Sequence, residues 1–220
     1  MTRPPGGLLR RSVSWVFGLV ILIVIPFTIL VRGSVFFYRE WALGMSLSLA
    51  CAVILTVLLF LVGTWIIRRG HEDGPEIRRM LIRGTIAIAC TYAGYAAFYV
   101  ASANAVPDEI REEYRAIHPL LRLAASPVIF FDPSAVTSNE GRIVEDYRLM
   151  GLSVNEANLH FVQADGLIHS LDLGTEDRAE WRNRGIELGF WALGFHSLRH
   201  LGVADHLHVS LRFPGQVILQ

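Results

Sequence analysis

The chain has 220 residues, 52% of them hydrophobic, with a mean hydropathy of +0.41 and 20 basic against 20 acidic side chains, a formal net charge of zero. Such hydropathy is unusual for a water-soluble chain. All the basic side chains are arginine, and no basic stripe with interleaved aromatics is present, which excludes nucleic acid as a partner.

The apolar excess is concentrated in residues 1–103, which we take as a membrane domain, followed by a domain of ordinary composition at 104–220. A spanning helix needs about 20 apolar residues. Three segments qualify, at about 13–31, 41–67 and 80–102. The first has an arginine-bearing flank, like a signal peptide. However, its apolar run is too long and no small-residue cleavage site follows, so it reads as a retained anchor. Arg3, Arg10 and Arg11 precede it, and Arg68, Arg69, Arg78, Arg79 and Arg83 crowd the second connection. The first loop holds only Arg32 and Arg39, with Glu40 beside the latter. The positive-inside rule therefore puts the N-terminus in the cytoplasm and residues after about 104 outside.

Cys51 and Cys90 both lie in apolar runs and read as buried free thiols. No span carries a histidine or a central acid, so haem ligation, proton relays and ion pathways lack their residues. Ala89, Ala93, Ala97 and Ala101 form a smooth stripe for packing on neighbouring helices or another membrane subunit. The lipid bilayer is the first partner implied.

In the second domain, "PDEIREEYRAIHPLLRLAA" predicts one helix with Pro107 in its first turn. "PVIFF" reads as a short buried strand, and "EGRIVEDYRLMG" as a helix stopped by Gly151. "ANLHFVQ" and "LIHSLDL" read as strands joined by "ADG". "TEDRAEWRNRGIELGFWALGF" reads as an amphipathic helix with Thr175 as N-cap. "HSLRHLGVADHLHVSLRFPG" holds one or two strands. The fold class expected is an α-helical membrane region of three transmembrane helices followed by a small α+β domain with an antiparallel sheet.

A three-residue Ala164-Asp165-Gly166 loop places His160, Ser170 and Asp172 on one face; a two-residue turn instead sets His169 beside His160. His206 and His208, two apart on a strand, share a face. His160, Asp172 and His208 thus form a candidate ligand set for zinc, which takes imidazole and carboxylate ligands and in catalytic sites keeps a position open. His169 is the rival first ligand. His196 and His200 read as structural or supporting residues, His118 as a surface residue, and Asp165 as a turn residue. Ser170 and Ser210 lack the setting of a nucleophile elbow.

"DHLHVSLRFP" resembles the terminal His-x-His strand of penicillin-insensitive murein endopeptidases. Those enzymes belong to the wider group of LAS-type zinc peptidases that includes D-alanyl-D-alanine peptidases and the hedgehog signalling domain. The order helix, His–Asp hairpin, helix, final strand over residues 130–213 is similar too. The resemblance implies Zn2+ on His160, Asp172 and His208, with Asp205 or His206 as the catalytic base. It also implies peptidoglycan peptides as substrate and a bacterial plasma membrane with the domain on its outer side. The chain departs from the family in two ways. A whole hairpin turn separates His160 from Asp172, and Asp205 stands where the carboxypeptidases carry a glutamate. The competing expectation is a non-catalytic subunit of a larger membrane complex that uses a degenerate peptidase fold for contacts.

Overall fold

The structure is a computed structural model that describes residues 6–69, 75–101, 106, 108–137, 149, 151, 159–201 and 205–213; the side chains of 6–22 and several between 64 and 101 stand outside that description. It is mostly helical, with one small antiparallel sheet. Helices α1 (Gly6–Glu40), α2 (Met45–Arg69) and α3 (Pro75–Ala101) come first. Then follow α4 (Arg111–Ala116), α5 (Pro119–Phe131), β1 (Ser170–Gly174), α6 (Glu180–Leu193), β2 (His196–His200) and β3 (His206–Ser210). The sheet order is β1-β3-β2.

Among the described residues one stretch is long and apolar enough to cross a membrane, Met45–Gly63 in α2, with a mean hydropathy of 2.7. The spans expected at 13–31 and 80–102 fall within α1 and α3. Much of both lies outside the described side chains, and neither meets that standard on the residues described. Of the alanine stripe, the Ala93 side chain is described and exposed, whereas the side chains of Ala89, Ala97 and Ala101 lie outside the description.

Two polar groups in the α1–α2 hairpin are satisfied inside their own helices. Ser34 donates to the Leu30 carbonyl and Thr56 to that of Ala52, each at 2.8 Å. Gly33 lets the helices approach: a Cβ there would stand 3.3 Å from that of Ala52. Helix α1 does not end where its apolar run ends. It continues to Glu40, so Arg32 and Arg39, expected in a loop, are helical. Leu30, Val31, Val35 and Tyr38 enter one buried cluster with Leu120 and Leu121 of α5, Phe190 of α6 and Leu171 and Leu207 of the sheet. Full burial of such a side chain stabilises by about 1.5–3 kcal/mol, so these turns anchor the second domain to α1.

The helix expected across "PDEIREEYRAIHPLLRLAA" is broken. His118 takes ψ 130°, because the ring of the following proline disfavours the helical conformation before it. The break is pinned by two backbone bonds of 2.8 Å, His118 N–H to the Ile168 carbonyl and Ile168 N–H to the Ala116 carbonyl. Pro119 then opens α5, and the His118 side chain accepts from the Leu120 N–H.

"PVIFF" is not a strand. It is the last turn of α5, with Phe130 and Phe131 exposed. Short apolar runs fit either class by periodicity. Here the helix survives Pro127, which cannot donate to the Leu123 carbonyl, because the Ser126 hydroxyl donates to that carbonyl at 2.6 Å.

Gly166 takes φ +78° and Gln163 N–H donates to the Leu167 carbonyl at 2.9 Å, so "ADG" is a three-residue loop. The first arm forms no ladder strand: Val162 makes an isolated bridge to Ile168, and residues 159–160 turn. Residues 157–158, and nearly all of "EGRIVEDYRLMG", lie outside the described residues. Helix α6 starts at Glu180 rather than after Thr175, because Asp177 takes φ +56° and breaks the helical path. Instead of capping, Thr175 donates its N–H to the Asp205 carbonyl.

Gly194 ends α6 at φ +95°, its N–H bonded to the Phe190 and Trp191 carbonyls. A Cβ at Gly194 would also meet Arg32 Nη1 and approach Val35. Gly194→Ala is therefore expected to lower stability by at least about 1–3 kcal/mol. Gly189→Ala, in open space inside α6, is expected to raise it by up to about 1 kcal/mol. Thermal unfolding of the two full-length variants checks both signs.

Candidate metal centre

The sheet has two unlike faces. Leu171, Leu173, Leu207 and Val209 point into the core and are all but fully buried. Alternation along each strand sends Asp172, His206 and His208 to the other face, where cover is partial. On β2, His200 stands directly opposite His206, Leu198 opposite His208 and His196 opposite Ser210, so the same face gains two more histidines, one at each end of β2.

Asp172 and His208 are direct partners across the β1–β3 ladder. His208 Nδ1 lies 2.9 Å from Asp172 Oδ1 and 3.1 Å from His160 Nε2. His160 Nε2 is 3.6 Å from Asp172 Oδ2. The hairpin holds His160 over the sheet, because the preceding Leu159 carbonyl accepts from the His169 N–H and the following Phe161 is buried. On the free side of β1, the Asp172 carbonyl accepts both the N–H and the hydroxyl of Thr137. The aspartate's backbone is thereby fixed from both sides.

Zinc holds nitrogen and oxygen ligands at about 2.0–2.2 Å in a tetrahedron, which sets ligand atoms about 3.3 Å apart. The separations of 2.9, 3.1 and 3.6 Å straddle that value. The donor chemistry fits as well. His208 Nδ1 faces a carboxylate and a second ring nitrogen at once, and one proton in the ring plane serves only one of them. A cation among the three atoms would satisfy all of them. Burial works to raise the Asp172 pKa, but the His208 hydrogen bond and the neighbouring His160, His208 and His206 outweigh it and hold the carboxyl below its ordinary value.

The remaining candidates divide. His206 Nε2 is 3.9 Å from Asp172 Oδ2, and its ring stacks on His200 with centroids 4.9 Å apart and planes at 25°. His206 therefore borders the three convergent side chains. Asp205 does not share their face: its carboxylate lies 3.7 Å from Arg199, whose partner in the ladder is the core-facing Leu207. One residue of offset on a strand accounts for the separation. His196 opens β2 and pairs with Ser210, at the end of the sheet remote from His200.

His169, the rival ligand, belongs to a second cluster with His118 and Asp165. Its Nε2 is 2.8 Å from Asp165 Oδ2, its Nδ1 is 3.3 Å from the Leu211 carbonyl, and Phe213 stacks on its ring. Both ring nitrogens thus face oxygen acceptors, while His118 Nδ1 already accepts the Leu120 N–H. Three of the four ring nitrogens thus have hydrogen-bonding partners, so this cluster reads as a hydrogen-bonded core. His118 is not a surface residue. It is 1% exposed, with the Tyr38 ring of α1 5.0 Å away. Only the His-Pro pair hinted at this; the burial comes from α1, 80 residues earlier in the chain. Asp165 also accepts the Leu167 N–H, the turn role expected of it.

No family model, no curated protein and no solved structure matches the chain. The likeness to zinc peptidases therefore stands on the sequence motifs alone.

Burial, followed by the nearby His169, lowers the His118 pKa from 6.5 to about 3. Between those values the unfolded chain binds a proton at this site that the folded chain refuses. Stability from this residue is full above about pH 6.5 and is lost as pH falls towards 3. Equilibrium unfolding from pH 7 to 4 is expected to show this acid slope, and His118→Gln to flatten it.

Proposed function

We propose that the chain is a membrane-anchored, zinc-dependent peptidase-like protein whose outer domain hydrolyses amide bonds in peptidoglycan peptides. In this reading three helices span the plasma membrane with the N-terminus inside, and the histidine face lies on the outer side. The observation that carries the proposal is the convergence of His160 Nε2, Asp172 and His208 Nδ1 on one point of a partly covered sheet face.

His160, Asp172 and His208 would hold the metal. When bound, zinc supplies a polarised carbonyl and a water acidic enough to attack at neutral pH. His206 is the better base of the two expected, since Asp205 is turned to Arg199 on the opposite face. The His206 ring is oriented by its stack on His200, and its Nε2 would take the attacking water's proton and return it to the leaving amine. The three ligand side chains are 16–19% exposed, so the centre is mostly covered and open to solvent on part of its surface.

The competing reading, a non-catalytic subunit of a larger membrane assembly, is favoured by a different observation. Helix α6 turns Trp181, Leu188 and Trp191 outwards, each more than 60% exposed. Apolar side chains gathered on one helix commonly mark a contact surface.

Metal analysis of the purified full-length protein, followed by digestion of isolated cell wall, separates the two. About one zinc per chain is expected, falling towards none in His208→Ala together with release of peptide products. His206→Ala is expected to keep the metal and lose about 100-fold or more in hydrolysis. Absence of stoichiometric zinc, or digestion unchanged in His208→Ala, would overturn the peptidase reading.

A further inference from the structure

A second site, distinct from the histidine centre, lies where α1 meets the end of α6. Arg32 and Arg39 of α1, Arg212 just after β3, His196 of β2 and the exposed Trp191 line one cavity of about 420 Å3. Three arginines thus border a common volume with no acid among its described lining residues.

Among the described residues their charge is poorly answered. Arg39 donates to the Gly194 carbonyl at 3.2 Å, and the Arg32 guanidinium lies against Gly194, so both meet the C-terminal end of α6. A helix end offers about half a negative charge, against three positive ones. The acid in contact among the described residues is Glu40, 4.0 Å from Arg39 and itself more than half exposed. Arg32 and Arg212 have no acidic partner among the described residues. Burial lowers the Arg212 pKa, and the charge of Arg39 lowers it further, the direction expected of two cations held close without a counter-ion.

We propose that this cavity binds a phosphate-bearing anion. Guanidinium forks pair two N–H groups with two oxygens of one phosphate, and several such forks around one volume select an anion with three or four oxygens over a single carboxylate. Arg32 directly follows Val31, where the apolar run of α1 ends. That position would suit a lipid headgroup, while the same donors would take free phosphate or pyrophosphate. The inference does not depend on the metal reading.

The test uses the full-length protein in a neutral detergent, titrated by calorimetry in two arms. One arm adds inorganic pyrophosphate. The other adds dioctanoyl phosphatidic acid, with dioctanoyl phosphatidylcholine as the reference. Saturable pyrophosphate binding supports the site with a free anion as its source. Binding of phosphatidic acid alone, at least tenfold tighter than phosphatidylcholine, supports it with a lipid headgroup as its source. In either case the double variant Arg32→Gln and Arg212→Gln is expected to weaken binding at least tenfold. The lysine double variant is expected to recover part of the loss, and Arg184→Gln, on the exposed flank of α6, to change nothing. No saturable binding in either arm, or binding unchanged in the glutamine double variant, overturns the proposal. An unaltered circular dichroism spectrum in that variant distinguishes loss of the site from loss of the fold.

Discussion

The pairing of β1 with β3 is the constraint on which the candidate centre depends. The two strands are separated in sequence by α6 and β2, yet their register sets Asp172 opposite His208. That register is held by the opposite face, where Leu171, Leu173, Leu207 and Val209 are buried. A slip of one residue would expose those four and bury the aspartate and both histidines, at a cost of several kcal/mol. The apolar face thus fixes the polar one. The site is a consequence of where the core must lie.

A second constraint ties this sheet to the first helix. Val35 and Tyr38 belong to the same buried cluster as the strands, and Tyr38 closes over His118 and His169. The second domain is therefore seated on α1 at this contact. Gly194 marks how close the approach is: its missing side chain leaves room for Arg32, and its left-handed backbone ends α6 beside that arginine. The arginine cavity and the hydrogen-bonded histidine cluster both arise at this junction.

The two groups of histidine and aspartate show how geometry separates similar compositions. Each contains two histidines and one aspartate. In one, three of the four ring nitrogens already have partners of their own: the Leu120 N–H, the Leu211 carbonyl and the Asp165 carboxylate. In the other, the nitrogens and the carboxylate face one another across about 3 Å. Nearly identical side chains read as internal glue in the first case and as a cation site in the second.

Much was legible in the chain before any coordinates. The long apolar run of α2 and the shared face of His206 and His208 rest on periods of a few residues; Asp165-Gly166 marked a turn, but its three-residue length was fixed only by the Gln163–Leu167 bond. Other features were not legible, some because they depend on a single local bond and some because they depend on distant segments. "PVIFF" joined a helix because Ser126 replaced the bond that Pro127 could not make. Asp205 stands apart from the histidines because it is one residue out of step with them, and it faces Arg199 instead. His118 became buried because Tyr38 arrived from α1. A sequence dictates its local conformations, since steric rules and side-chain alternation act between neighbours; the meeting of Asp172 with His208, and the gathering of Arg32 and Arg212 around one cavity, was decided by packing, because burying apolar area brings together residues that share no local rule.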